Sequence, residues 1–170
     1  MIEPAAKLCD DEALWRYSLA FYARPGVSEA LLALQDRAGC DVNLILYALW
    51  LGVSGGSRLT KGELARADLI ARPIRTEIVE PLRALRRKLR AKPDADIQRL
   101  RESIKALELG AEKIIQIRLG RGARSARSSA DPAARAAAAQ ANLALYLGSE
   151  IARSAEAVTI GEALKAFVQG

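Results

Sequence analysis

Thirty-three alanines and 24 leucines stand in a chain of 170 residues, against 12 isoleucines and 6 valines. Alanine and leucine lead the helix propensity scale. The β-branched residues that suit a pleated sheet are scarce. No alternating pattern flanks a tight hairpin turn anywhere. These facts constrain the fold to all-α: a single compact bundle of about six to eight helices over residues 1–170, including a long antiparallel helical hairpin. A chain of this length can bury one real core. Its 51% apolar and 27% charged residues exclude wholesale disorder.

Stop and start signals divide the chain. A first helix is expected from Asp10 or Asp11 to about Arg24, ended by Pro25-Gly26. Ser28 opens a second, 29–38, which Gly39 stops. Asp41 caps a third, 42–51, which Gly52 stops. Residues 52–62 read as a glycine-rich connector, because the lysine-serine order of a phosphate loop is missing. Thr60 with Glu63 fits a capping box for a fourth helix ending near Ala71. After Arg72-Pro73, the apolar stripe Ile74, Ile78, Leu82, Leu85 and Leu89 predicts a long helix with a kink or restart at Pro81. Asp94 caps the next helix. Its seam of Ile97, Leu100, Ile104, Leu107, Ala111 and Ile114 alternates three and four residues. The two stripes read as facing rods of a hairpin. Residues 119–130 are small and basic, which predicts a mobile loop. Asp131-Pro132 starts an alanine-rich helix to about Leu147, and a short helix is expected over 162–168.

The chain has no histidine. That removes Ser-His-Asp and Cys-His catalysis and histidine-ligated zinc. Cys9 and Cys40 match neither a disulfide framework nor a metal-ligand spacing, and a reduced, cytoplasmic setting is the simplest expectation. Asp10, Asp11 and Glu12 fall where an export signal would be apolar. The apolar run from Leu44 to Val53 is too short to span a bilayer and reads as a buried helix. No catalytic residue, cofactor or metal is expected. Asp41 opposes any activation of the Cys40 thiol by the helix dipole.

One stretch carries a resemblance. It reads Trp15-Arg-Tyr17-Ser18-Leu19-Ala-Phe21-Tyr22, then Leu34-Gln35-Asp36, Gly39, Asp41-Val42-Asn43 and Leu49-Trp50-Leu51. With Pro81-Leu82-Arg83, Leu85-Arg86-Arg87, and Glu108 with Glu112, it resembles a family of short bacterial proteins known only as a domain of unknown function. The likeness covers roughly residues 10–115. It implies no activity, cofactor or catalytic residue. The chain departs from the pattern at residues 72–74, where a tryptophan is expected, and in its long basic stretch after Leu119.

Two constellations can carry function. Asn43, Tyr47 and Trp50 share one helix face, and Trp15, Leu19 and Tyr22 share another. Trp15, Tyr22, Asn43, Tyr47 and Trp50 would wall a small-molecule pocket between the first and third helices, or simply pack as core. The second is basic. Net charge is +6, and the excess gathers between residues 72 and 127. Arg83, Arg86, Arg87, Arg90 and Lys92 lie away from the leucine stripe, with Arg99 and Lys105 across the hairpin and Arg121, Arg124 and Arg127 beyond. They offer a docking face for an acidic protein or ribonucleoprotein, or else a solvated surface. Without interleaved aromatics or a helix-turn-helix spacing, sequence-specific DNA is not an expected partner. Glu108 and Glu112 repel at i, i+4 unless a cation sits between them. An arginine of the partner rod, Arg83 or Arg86, is preferred over a metal. The leading expectation is a non-catalytic interaction protein docking through the basic hairpin. The alternatives are a small-molecule binder or enzyme using the aromatic pocket, and a structural helper subunit of a complex. The oligomeric state is not legible.

Overall fold

In the computed structural model, which describes residues 11–123 and 131–169, the apolar run from Leu44 to Val53 is buried on nearly every side. It belongs to α3 (Val42–Gly55), and the other helices wrap it. They are α1 (Ala13–Tyr22), α2 (Val27–Ala38), α4 (Lys61–Ile74), α5 (Glu80–Leu89), α6 (Ala95–Gly122), α7 (Pro132–Ile151) and α8 (Ala155–Gln169). There is no strand among the described residues. A helix apolar all round must be a core helix, and α3 is flanked by α1, α2, α4, α6 and α7. No helix among the described residues is long and apolar enough to cross a membrane.

Capping follows the sequence at four starts. Asp41 accepts the Asn43 N–H at 2.8 Å. Thr60 and Glu63 form the reciprocal capping box. Asp94 and Asp131 each accept two first-turn N–H groups. The first helix differs, starting at Ala13 after an N-cap, Glu12, that makes no side-chain cap bond. Asp11 is drawn instead to Arg121, at 2.6 Å.

Several boundaries move. α3 passes through Gly52 to Gly55, so the first four residues of the expected connector are helix. Gly52 is not a stop but a contact: a Cβ there would lie 2.3 Å from the Ala139 backbone of α7. Buried Asn142 orders what remains of the connector. It donates to the carbonyls of Ala48 and Ser57 and accepts the Leu59 N–H at 2.7 Å. Pro73 does not punctuate the chain, because α4 runs through it. Arg75 holds the next turn by pairing with Asp41 at 2.7 Å and Asp68 at 3.0 Å. A π-helical turn, Arg75–Val79, then widens the rod just before Pro81, where α5 restarts. The kink or restart expected at Pro81 takes the form of this π-helical turn inside one continuous rod from Lys61 to Leu89. α6 continues to Gly122, with Leu119 buried against the core. Residues 119–122 are therefore helical rather than loop, and 124–130 lie outside the described residues. α8 is twice as long as the expected terminal helix, because Ala157, Ile160 and Leu164 give it a buried face against α2 and α7.

Candidate binding cleft

The α5–α6 hairpin forms, but its rods meet through charge as much as through leucine. Arg83 donates to Glu108 at 2.8 Å and to Glu112 at 2.7 Å. Arg86 donates to both oxygens of Glu108, at 2.7 and 3.2 Å. Glu108 is buried. This corrects the docking expectation for Arg83 and Arg86: they do not point into water but neutralise acids between the rods. Arg87 bonds Asp36 of α2 at 2.6 Å yet stays exposed, as do Arg90 and Lys92. Arg99 and Lys105 are exposed on α6. Arg121 pairs with Asp11, and Arg124 and Arg127 lie outside the described residues.

The two carboxylates between the rods diverge. Burial alone would raise Glu108, but the bonds from Arg86 and Arg83 outweigh it and hold its carboxyl below the usual range. Glu112 shifts the other way. Its own burial comes first, then the nearby Glu108 and Asp41 charges, against the attraction of Arg83. The surroundings thus favour the charged form of Glu108 and disfavour that of Glu112.

Beside this pair opens a cleft of about 880 Å³ between α1, α2, α3, α5 and α6. Trp15 and Tyr22 line it from α1 and Asn43 from α3. Arg83, Arg86, Arg87 and Arg90 line it from α5, and Arg101, Lys105, Glu108 and Glu112 from α6. The aromatic set and the basic set, two separate features in the sequence, therefore share one cavity. Tyr47 and Trp50 are not part of it. Tyr47 is buried in the core, and its ring lies 6.4 Å from that of Trp50. Lys92 sits beyond its rim.

The sequence reading assigned no site role to Ser18, Gln35, Asp36, Arg101 and Gln116, which also line the cleft, whereas Lys105 had been placed on the basic face. A signal existed for α6. Arg101, Lys105, Glu108, Glu112 and Gln116 are spaced four, three, four and four, a polar stripe beside the apolar seam. Ser18 lies between Trp15 and Tyr22 on the same face of α1.

Three groups in this lining stand out. Ser18 Oγ, Gln116 Oε1 and Arg101 Nε are shielded from solvent and have no hydrogen-bond partner among the described residues. Ser18 and Gln116 are each 3% exposed. Gln116 uses its other end, donating Nε2–H to Asn43 Oδ1 at 3.0 Å. Buried polar atoms without partners are uncommon and costly. Leu19, Leu32 and Leu109 face the same cleft while 46–51% exposed. Six cationic side chains against three carboxylates leave the lining with surplus positive charge.

A second cleft of about 960 Å³ lies on the far side of Asn43 and Arg83. Several of its polar groups satisfy one another. Arg75 bridges Asp41 and Asp68, and Tyr146 Oη accepts the Asp41 N–H at 2.7 Å. Burial, and then Asp41, raise the Cys40 thiol there, the reverse of what a reactive thiolate needs. No metal-holding group of three or more acidic or cysteine side chains exists among the described residues.

A family model described as a protein of unknown function matches residues 13–119. The match spans every residue that lines the α1–α3–α5–α6 cleft and nearly coincides with the stretch that carried the resemblance. No curated protein and no solved structure matches the chain.

Proposed function

The chain belongs to the DUF2390 family of proteins of unknown function, and from that starting point we propose that it binds a small amphipathic organic anion in the α1–α3–α5–α6 cleft. An acyl or aryl carboxylate or phosphate has the required chemistry. The observation that carries this reading is the set of unpartnered buried groups, Ser18 Oγ, Gln116 Oε1 and Arg101 Nε, in a cleft that also bares three leucines. An anionic head would accept from Ser18 Oγ–H and Arg101 Nε–H, and a hydroxyl on the ligand would donate to Gln116 Oε1. The ligand's apolar body covers Leu19, Leu32, Leu109 and the Trp15 ring, while its charged head takes Arg101, Lys105 and Arg90. The cavity size falls in the range of ordinary small-molecule sites. Arg83 and Arg86 are committed to Glu108 and act as a scaffold that holds the rods at the right distance.

A thermal-shift screen of the full chain against acyl and aryl carboxylates, sugar phosphates and nucleotides tests this reading. At least one amphipathic anion is expected to raise the melting temperature. The rise should be lost in Trp15→Ala and Arg101→Gln variants that still fold. If no anion stabilises the parent, or if the rise survives both substitutions, the reading is wrong.

A second reading keeps the basic hairpin as a docking face for an acidic protein or ribonucleoprotein. Exposure of Arg87, Arg90 and Lys92 at the hairpin tip supports it. Changing those three to glutamate should then abolish a salt-sensitive interaction, and Lys92→Glu alone, which lies outside the cleft lining, should weaken that interaction while leaving small-anion stabilisation untouched.

A further inference from the structure

The side of the hairpin turned away from the cleft holds a second unexplained feature. Leu100, Leu107 and Ile114 of α6 are 54%, 62% and 47% exposed, and Ile78 and Leu85 of the opposing rod are 44% exposed each. Within each set the spacing is seven residues. Such a repeat keeps side chains in line where one helix runs along another. α5 has no fully buried residue of its own. The seam read from the sequence is therefore only half used. Ile104 and Ala111 face the core, while Leu100, Leu107 and Ile114 do not.

The ion pairs fix how these residues lie together. Arg83 and Arg86 both reach Glu108, and Arg83 reaches Glu112. That antiparallel register sets Leu85 beside Leu107 and Ile78 beside Ile114. Leu107 precedes Glu108 by one position and Leu85 precedes Arg86 by one, each about 100° round its helix. In an antiparallel pair those two turns lead to the same face. Leu109 and Gln116, by contrast, turn toward the cleft.

We propose that this face is a self-association surface, on which α6 packs antiparallel against α6 of a second copy about a two-fold axis at Leu107. Charge and register argue for a copy as the occupant. In this alignment Leu107 meets its own equivalent and Leu100 meets the partner's Ile114. Asp96 then comes opposite the partner's Arg118, and symmetry makes that contact twice. A parallel alignment would set arginine on arginine and aspartate on aspartate. Asp96 and Arg118 are both exposed, and the pair that Asp96 makes with Arg99 lies on the surface, where it can be exchanged for the contact with Arg118. The cleft faces the other way and stays open in the dimer.

Analytical ultracentrifugation of the full chain tests this. The parent is expected at twice its 18.3 kDa mass. Leu107→Glu puts two like charges on the axis and should return the chain to a single mass with helix content unchanged by circular dichroism. Asp96→Lys and Arg118→Glu should each weaken the dimer by roughly tenfold, and the double exchange should restore it. A parent that sediments as a monomer at micromolar concentration overturns the proposal and leaves the face to a different protein. So does a Leu107→Glu chain that remains dimeric, or a double exchange that dimerises no better than either single change.

Discussion

Glu108 is the residue on which the hairpin turns. It is 6% exposed and meets two guanidinium groups. A buried ion pair need not beat a pair of leucines, but removing one partner strands the other's charge. Glu108→Leu should therefore destabilise the chain by about 3 kcal/mol in denaturant unfolding, the low end because Arg83 keeps Glu112. The pH dependence separates the two acids. Glu108 is held below its ordinary value of 4.5, so the unfolded chain binds more protons. Its contribution is present above that value and fades as the pH falls through the lowered one. Glu112 is raised, so the folded chain binds more protons and its charge costs stability as the pH climbs. Glu108→Gln should fall below the parent at neutral pH and converge with it in acid. Glu112→Gln should equal or exceed the parent at neutral pH. Melting curves over a pH series read both. The glutamate pair and its need for a cation were legible, because i, i+4 acids on one face demand one. The unpartnered Ser18, Gln116 and Arg101 were not, because their isolation depends on elements far apart in sequence.

At the scale of elements, the tightest joint is α3 on α7. Gly52 faces Ala139 so closely that no side chain fits between the two backbones. Gly52→Ala gains helix propensity yet forces the helices apart, so it should destabilise by about 3 kcal/mol rather than stabilise. Denaturant unfolding of Gly52→Ala beside an exposed control, Gly110→Ala, decides the sign. A Cβ at Gly110 meets nothing within 4 Å, so the control should gain stability. From the sequence alone Gly52 looks like a helix stop, and only the alanines of α7 reveal it as a contact. Thr60, Asp94 and Asp131 were readable because a cap is local chemistry. Pro73 was not. Its helix continues because Arg75 is held by Asp41 and Asp68, and a contact between Arg75 and Asp41 leaves no trace in local spacing.

For the whole molecule, the all-α class followed from alanine and leucine content, and the eight α-helices among the described residues fall in the expected range. What the chain alone concealed is convergence: half of an aromatic set and most of a basic set line one cavity, while Tyr47 and Trp50 leave it. Both sets had been read along single helices, where spacing defines a face but not its neighbour. The α5–α6 hairpin then separates two surfaces, a charged cleft on one side and a leucine ridge on the other. The most direct check of the cleft is a fluorescence titration of the full chain with anilinonaphthalene sulfonate, an aromatic anion of suitable size. One saturable site per chain is expected, weakened about tenfold by Trp15→Ala and by Arg101→Gln, and unchanged by Trp50→Phe or Leu107→Glu. Binding that ignores Trp15 and Arg101, or that vanishes with Leu107→Glu alone, would contradict the account.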